Sequence, residues 1–208
     1  MTQRDVVFLV ADGSMEQMLR GFFGRPYFHR TLGCGRFEVD PDQDLIVASR
    51  RDSEVFGQAH ELLRPYLSSH ARAIAMLDNA WEGSPGSDVI KERVSKRLAE
   101  TWDESAVIVI DPELEAWVWQ DNPNVPAALG APAESRRLLD VAGYWPAGQP
   151  KPPDPKEALE YLRIRHGADR SKAVFRRVAE RVSVRSCIDP AFLHLRDTLR
   201  DWFPEDSL

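Results

Sequence analysis

The sequence predicts an α/β protein built on a mainly parallel sheet, and two observations carry that prediction. Val6 to Ala11 (VVFLVA), 45–48 (LIVA), 72–77 (RAIAML) and 105–110 (SAVIVI) are short apolar runs, the pattern of strands buried on both faces. Between them lie stretches with apolar residues at helical spacing, so strand and helix alternate through residues 1–120. In such sheets a ligand site lies beyond the carboxyl ends of the strands.

The elements follow in order. After the first strand, Asp12-Gly13-Ser14 forms a turn that also suits a helix cap. Met15, Met18, Leu19, Phe22 and Phe23 then recur at helical spacing, predicting a helix over 15–23 that Gly24-Arg25-Pro26 ends. Residues 27–43 show no regular pattern, being broken by Gly33, Gly35 and Pro41. A helix is predicted over 53–67, with Val55, Ala59, Leu62, Leu63 and Leu67 inward. The 72–77 strand runs into a polar turn from Asp78 to Gly86, and 87–102 reads as an amphipathic helix. Asp111-Pro112 stops the 105–110 strand, and Glu113 to Trp119 is helical, with Trp117 and Trp119 directed to the core.

Residues 121–154 change character. Seven prolines fall between Asn122 and Pro153, so this stretch reads as a connector with one short helix near 134–141. Three helical patterns follow, at 155–165, 171–183 and 189–202, the last opened by Asp189 as cap and Pro190 at the first helical position. The expected organisation is an α/β core over 1–120, the connector over 121–154, and a helical C-terminal subdomain over 155–208 packed on the core.

Composition narrows the function classes. Nineteen aromatic residues (6 Trp, 4 Tyr, 9 Phe) among 208 argue against disorder. No apolar run approaches the roughly 20 residues of a membrane span, so no membrane partner is expected. The N-terminal residues lack a signal-peptide pattern. Cys34 and Cys187 share no metal-type spacing, which points to reduced thiols and a cytoplasmic location. Net charge is −6, yet residues 151–208 hold 12 Lys and Arg against 10 Asp and Glu, a net of +2. An acidic front and a basic tail suit a carboxylate site beside a surface that meets an anion.

No Gly-rich phosphate loop and no nucleophile elbow is present, and the five histidines have no ligand-like pairing. A weaker option is a small-molecule phosphatase or nucleotide-binding α/β domain, and the missing loop argues against nucleotide binding. Acidic residues are placed more suggestively. Three apolar strands each end at a carboxylate, Asp12, Asp78 and Asp111, with Glu16, Glu113 and Glu115 close behind. Set side by side in a parallel sheet, these groups meet at one edge, where they repel unless a cation joins them. Oxygen ligands of this kind suit Mg²⁺ or Mn²⁺, which activates water and neutralises a phosphoryl oxygen. Residues 163–185 add eight Arg and Lys against two acids, with Arg170, Arg177 and Arg181 on one face and Val174, Val178 and Val182 on another. That face is either a phosphate-tracking surface or an ordinary solvated one. Trp81, in the polar turn after Asp78, is placed to cover the site or dock a partner.

Several of these runs resemble one family. Val-Ala-Asp-Gly-Ser-Met-Glu, from Val10, resembles the V-E-G-x-T-E opening of Toprim-like domains, found in old-type nucleases, RloB-like proteins and bacterial defence-operon proteins. Ala-Ile-Ala-Met-Leu-Asp-Asn-Ala, ending at Ala80, resembles the strand that ends in Asp-x-Asp, and Glu-Leu-Glu-Ala-Trp, ending at Trp117, resembles the helix opening E-x-E-A-W. Arg170-Ser171-Lys172 and Cys187-Ile188-Asp189-Pro190 resemble its tail.

The resemblance implies a Toprim-like three-layer sandwich carrying Mg²⁺-dependent phosphodiester chemistry on DNA or RNA. It implies Asp12 as general acid/base, Asp78, Glu16 and Glu115 around the metal, and Glu16 and Lys172 in the catalytic set. Arg170, Lys172, Arg177 and Arg181 are the expected nucleic-acid contacts. Position 12 holds Asp in place of the family Glu, and position 80 holds Ala in place of the second Asp. Asn79 and Glu82 are near substitutes without the motif spacing. Two functions follow: a nuclease component of an anti-phage defence system, or a catalytically degenerate accessory subunit. The second binds nucleic acid or a partner protein such as an ATPase or methyltransferase.

Overall fold

The computed structural model describes residues 3–120, 122–185 and 187–205. Its centre is a four-stranded, all-parallel sheet in the order β2-β1-β3-β4, from β1 (Arg4–Val10), β2 (Leu45–Val47), β3 (His70–Asp78) and β4 (Ser105–Ile110). The apolar runs named above form these strands because both faces are covered. Val6 to Val10, Ala73 to Leu77 and Val107 to Ile110 are all buried. Register aligns the carboxyl ends, with Val10 opposite Met76 and Asp78 opposite Ile110.

Helix α1 (Gly13–Phe23) links β1 to β2, α3 (Arg51–Leu63) returns from β2 to β3, and α4 (Ser87–Leu98) links β3 to β4. With right-handed crossovers, α1 covers one face and α3 and α4 the other. Consistent with this, α3 packs on α4, whereas α1 packs on α9 (Ala173–Arg181). Phe22 of α1 meets Phe192 of α10 (Pro190–Trp202) edge to face, with ring centroids 6.1 Å apart. The chain leaves β1 toward β2 on one side and β3 toward β4 on the other. The loops after β1 and β3 therefore part and open a crevice at their carboxyl ends.

Caps and close contacts fix these elements. Asp12 caps α1, accepting the Ser14 and Met15 N–H groups at 2.7 and 3.0 Å. Asp189 caps α10, with Pro190 at its first position, as the sequence predicts. The same buried carboxylate accepts the Trp117 Nε1–H at 3.0 Å and pairs with Lys151 at 2.6 Å, so one residue ties α5 (Glu115–Val118), the 142–154 segment and α10 together. At the opposite end of the sheet, fully buried Asp44 accepts from Arg4 Nη2 at 2.8 Å and bonds His70 Nε2 at 3.0 Å, gathering the starts of β1, β2 and β3. Gly21 lets α1 and α9 touch; a Cβ there would stand 2.9 Å from the Ala179 Cβ and closer still to the Arg176 carbonyl.

Two helices escape the sequence pattern. α2 (Phe28–Leu32) is one turn long and ends at Gly33, whose φ of 71° is left-handed. α6 (Asn124–Leu129) lies in the Pro-rich stretch. Pro123 caps it and Pro126 sits in its first turn, where the missing N–H has no intrahelical partner to lose. α7 (Ser135–Val141) matches the predicted short helix. Val125, Leu129, Leu139 and Trp145 are buried and Trp145 stands edge to face with Trp119 at 5.6 Å, so residues 122–154 contribute to the core. α8 (Pro155–His166) completes the described helices, and one apolar cluster runs from Val6 to Leu199. None of the described helices is long and apolar enough to cross a membrane.

Candidate functional site

The crevice between the ends of β1 and β3 is an open cleft of about 520 Å³. Its lining includes Asp12 after β1, Asp78 at the end of β3, and Glu113 and Glu115 after β4. A further carboxylate comes from Asp52, in the first turn of α3, which follows β2. All four strands thus deliver acid to one place.

Burial and like charge set the chemistry of this floor. The Oδ1 of Asp78 is buried without a hydrogen-bond partner. Desolvation, then Asp52, Glu115, Asp12 and Glu113, push its carboxyl up to about 9. Asp52 Oδ1 accepts the Asp78 backbone N–H at 2.8 Å, and burial raises the Asp52 carboxyl despite that bond. Burial, then Glu113, raises Glu115 as well. Glu113 is held by Lys156 Nζ at 2.9 Å, which raises the Lys156 ammonium in turn.

A divalent cation bound here would satisfy the orphaned Asp78 oxygen and offset the repulsion. Among the described residues no three His, Cys, Asp or Glu side chains stand close enough to grip one ion by themselves. Mg²⁺ needs less than that, since it commonly binds through one or two carboxylates plus water and substrate phosphate. Ala80 lines the cleft, and its N–H is spent on the Pro112 carbonyl at 2.8 Å. Asn79 turns its amide to Asp111 at 3.0 Å, away from the role of a substitute ligand, and Glu82 stands on the rim. Asp111 lines a different groove, among prolines of the 149–155 segment.

The other anticipated residues divide. Asp12, Asp78 and Glu115 meet in the cleft. Glu16 does not line it: its carboxylate pairs with Arg20 at 2.8 Å, and Arg20 also binds Asp42 at 2.7 Å. Met15, Met18, Leu19 and Phe22 claim the inner face of α1, which leaves Glu16 on the outer side. Lys172, exposed at the start of α9, places its ammonium 3.0 Å from where a Gly13 Cβ would stand, outside the lining of the cleft. Arg170 lies 3.9 Å from Glu160.

Arg177 has a structural task. Its Nε donates to the Ala128 carbonyl at 2.9 Å and its Nη2 to Asp169 at 2.7 Å, clamping α6 and the 167–172 turn to α9. The Ser171 N–H and then Arg177 hold the Asp169 carboxyl at about 2. Arg181 is exposed at the far end of α9, roughly 14 Å along the axis from Lys172 at 1.5 Å per residue.

Asp52, Arg50, Arg51 and Lys156 also line the cleft and are not among the residues the sequence singles out. The signal for Asp52 was the one used elsewhere, an acid shortly after an apolar strand, here Leu45–Val47. Compared with family models, curated proteins and solved structures, the chain gives no match.

Proposed function

We propose that this chain is a Toprim-like, divalent-cation-dependent nuclease or related phosphodiesterase acting in bacterial anti-phage defence, with Mg²⁺ or Mn²⁺ as its ion. The single observation that carries the reading is the buried, unpartnered Asp78 Oδ1 on a floor of carboxylates at the sheet's switch point. Asp78 and Asp52 are the groups that hold the ion, with water and substrate phosphate completing its shell and Glu115 in the surrounding carboxylate set, and Asp52 supplies the carboxylate that Ala80 lacks. Bound there, a divalent ion lowers the pKa of a water and neutralises a phosphoryl oxygen. Asp12, anchored through Oδ1 to the Ser14 and Met15 N–H groups, keeps its other oxygen for taking or giving a proton. Lys172, over the start of α1, steadies phosphate charge.

The test is incubation of purified protein with DNA and RNA in Mg²⁺ or Mn²⁺. Cleavage that is lost in Asp78→Asn and Asp52→Asn and kept in Glu16→Gln supports the site. Cleavage that survives Asp78→Asn removes it.

Ala80 and the neutralisation of Glu113 by Lys156 favour a second reading, an accessory subunit of the same fold that binds nucleic acid or a defence partner such as an ATPase or methyltransferase without cleaving. Copurification with such a partner, together with no cleavage of any substrate, selects it.

A further inference from the structure

Arg50, Arg51 and Lys156 line the cleft together with its acids. Two of the three are engaged. Lys156 is bonded to Glu113 at 2.9 Å, and Arg50 lies 3.7 Å from Glu54, whose other oxygen accepts the Arg50 N–H. Among the described residues, the Arg51 guanidinium has no carboxylate within ion-pair distance and no hydrogen bond. Its backbone is left-handed, with φ of 58°, a conformation that disfavours any residue with a Cβ. The neighbouring residue is Asp52, locked to the Asp78 N–H, so Arg51 rises from a rigid point beside the ion-binding floor.

We infer that Arg51 is the phosphate-holding residue of the cleft, gripping a phosphodiester of single-stranded nucleic acid next to the ion. This rests on the nuclease reading and assigns to Arg51 the main anion contact that the sequence placed on Arg170, Lys172, Arg177 and Arg181. The charge pattern supports it. A phosphate presents anionic oxygens both to the ion on the carboxylates and to a guanidinium, and Arg binds such oxygens in a bidentate fork. Arg177 has its donors committed to Ala128 and Asp169, and Arg181 sits a helix length away, so neither competes for that role. Trp81, packed against Phe56 with ring centroids 5.7 Å apart, forms an aromatic edge to the same cleft, the kind of surface on which an unpaired base stacks. A left-handed Arg that glycine would replace without backbone cost is a place where function opposes stability.

The experiment measures binding of short fluorescein-labelled DNA and RNA oligonucleotides in Ca²⁺, which supports binding in place of the catalytic ion. It compares wild type, Arg51→Gly, Arg51→Lys and Arg181→Ala across a salt series, with unlabelled inorganic phosphate as competitor. Thermal melts of each variant accompany the titrations. Arg51→Gly is expected to melt at or above wild type yet bind about tenfold more weakly, with the salt slope shallower by about one. Arg51→Lys recovers part of the affinity, and Arg181→Ala matches wild type. Wild-type affinity and slope in Arg51→Gly overturn the assignment of Arg51 while leaving the nuclease reading intact. No oligonucleotide binding by wild type overturns both. Displacement by phosphate at matched phosphate concentration marks a small-phosphate site and overturns the diester assignment.

Discussion

The carboxylate of Asp52 accepts the backbone N–H of Asp78 at 2.8 Å, so the first turn of α3 is bolted to the carboxyl end of β3. This bond brings an acid from the β2–α3 connection to the crevice beside β1. It also holds two acids close together where burial already disfavours charge.

A pH dependence follows. The Asp78 carboxyl is raised to about 9 in the folded chain, from 3.8 when free. Between those values the native state holds more protons than the unfolded one, so stability falls as pH rises. The metal-free protein should therefore lose Tm steadily from about pH 4 toward pH 9. Asp78→Asn should flatten that slope, and Mg²⁺ should offset it at the alkaline end. Melting curves with and without EDTA across the range read both effects.

Arg177→Ala should act on stability and leave nucleic-acid affinity alone. It strands the Ala128 carbonyl and frees Asp169, and losing a charged hydrogen-bond partner of this kind costs about 1–3 kcal/mol. Urea unfolding together with oligonucleotide binding separates the two roles. A binding loss without a stability loss would return Arg177 to the nucleic-acid surface.

Gly21→Val should be costly, because the new side chain has to force α1 and α9 apart at the Arg176 carbonyl and Ala179. Overpacking of this kind costs about 1–3 kcal/mol. Gly57, with nothing within 4 Å of its missing Cβ, is the control: Gly57→Ala in the middle of α3 should be neutral or stabilising. Denaturant midpoints measure both.

Asp189→Ala removes an N-cap, the acceptor of a buried indole and the partner of Lys151 in one step. Breaking a buried pair on one side costs about 3–5 kcal/mol, so this substitution should lower Tm by more than any of the cleft variants. Trp117→Phe loses the indole N–H and part of the buried ring packed on Phe192 but leaves the cap and the Lys151 pair, so it should cost less than Asp189→Ala. Equal losses for the two variants would contradict the hub described for Asp189.

The architecture was legible because burial on both faces demands uninterrupted apolar strands. VVFLVA, RAIAML and SAVIVI state that demand without ambiguity, and the SAVIVI bounds match β4 residue for residue. Asp12, Asp78 and Glu115 were legible because strand ends in a parallel sheet converge. Asp52 was not, since it enters the cleft only through the left-handed turn at Arg51 that closes the β2–α3 connection, and an Arg gives no glycine signal for such a turn. Glu16 was misplaced because spacing one turn past the cap says nothing about which side of α1 the core claims. Arg177 shows the same blindness on α9. Arg177 and Arg181 share a face of α9, but α6 covers part of it and takes the Arg177 guanidinium, and Arg170 stands before the helix. α6 itself was hidden by prolines that are harmless in a first turn.

If acids from separate strands share one divalent ion, calorimetric titration of the metal-free protein with Mg²⁺ reads that sharing. At neutral pH a single site near the millimolar range is expected. Proton release on binding is expected too, seen as a dependence of the heat on buffer, because Asp78 must give up its proton. Asp78→Asn and Asp52→Asn should abolish binding, and Glu16→Gln should retain it. Equal Mg²⁺ affinity in wild type and in both cleft variants, or no binding by wild type, would contradict a shared ion.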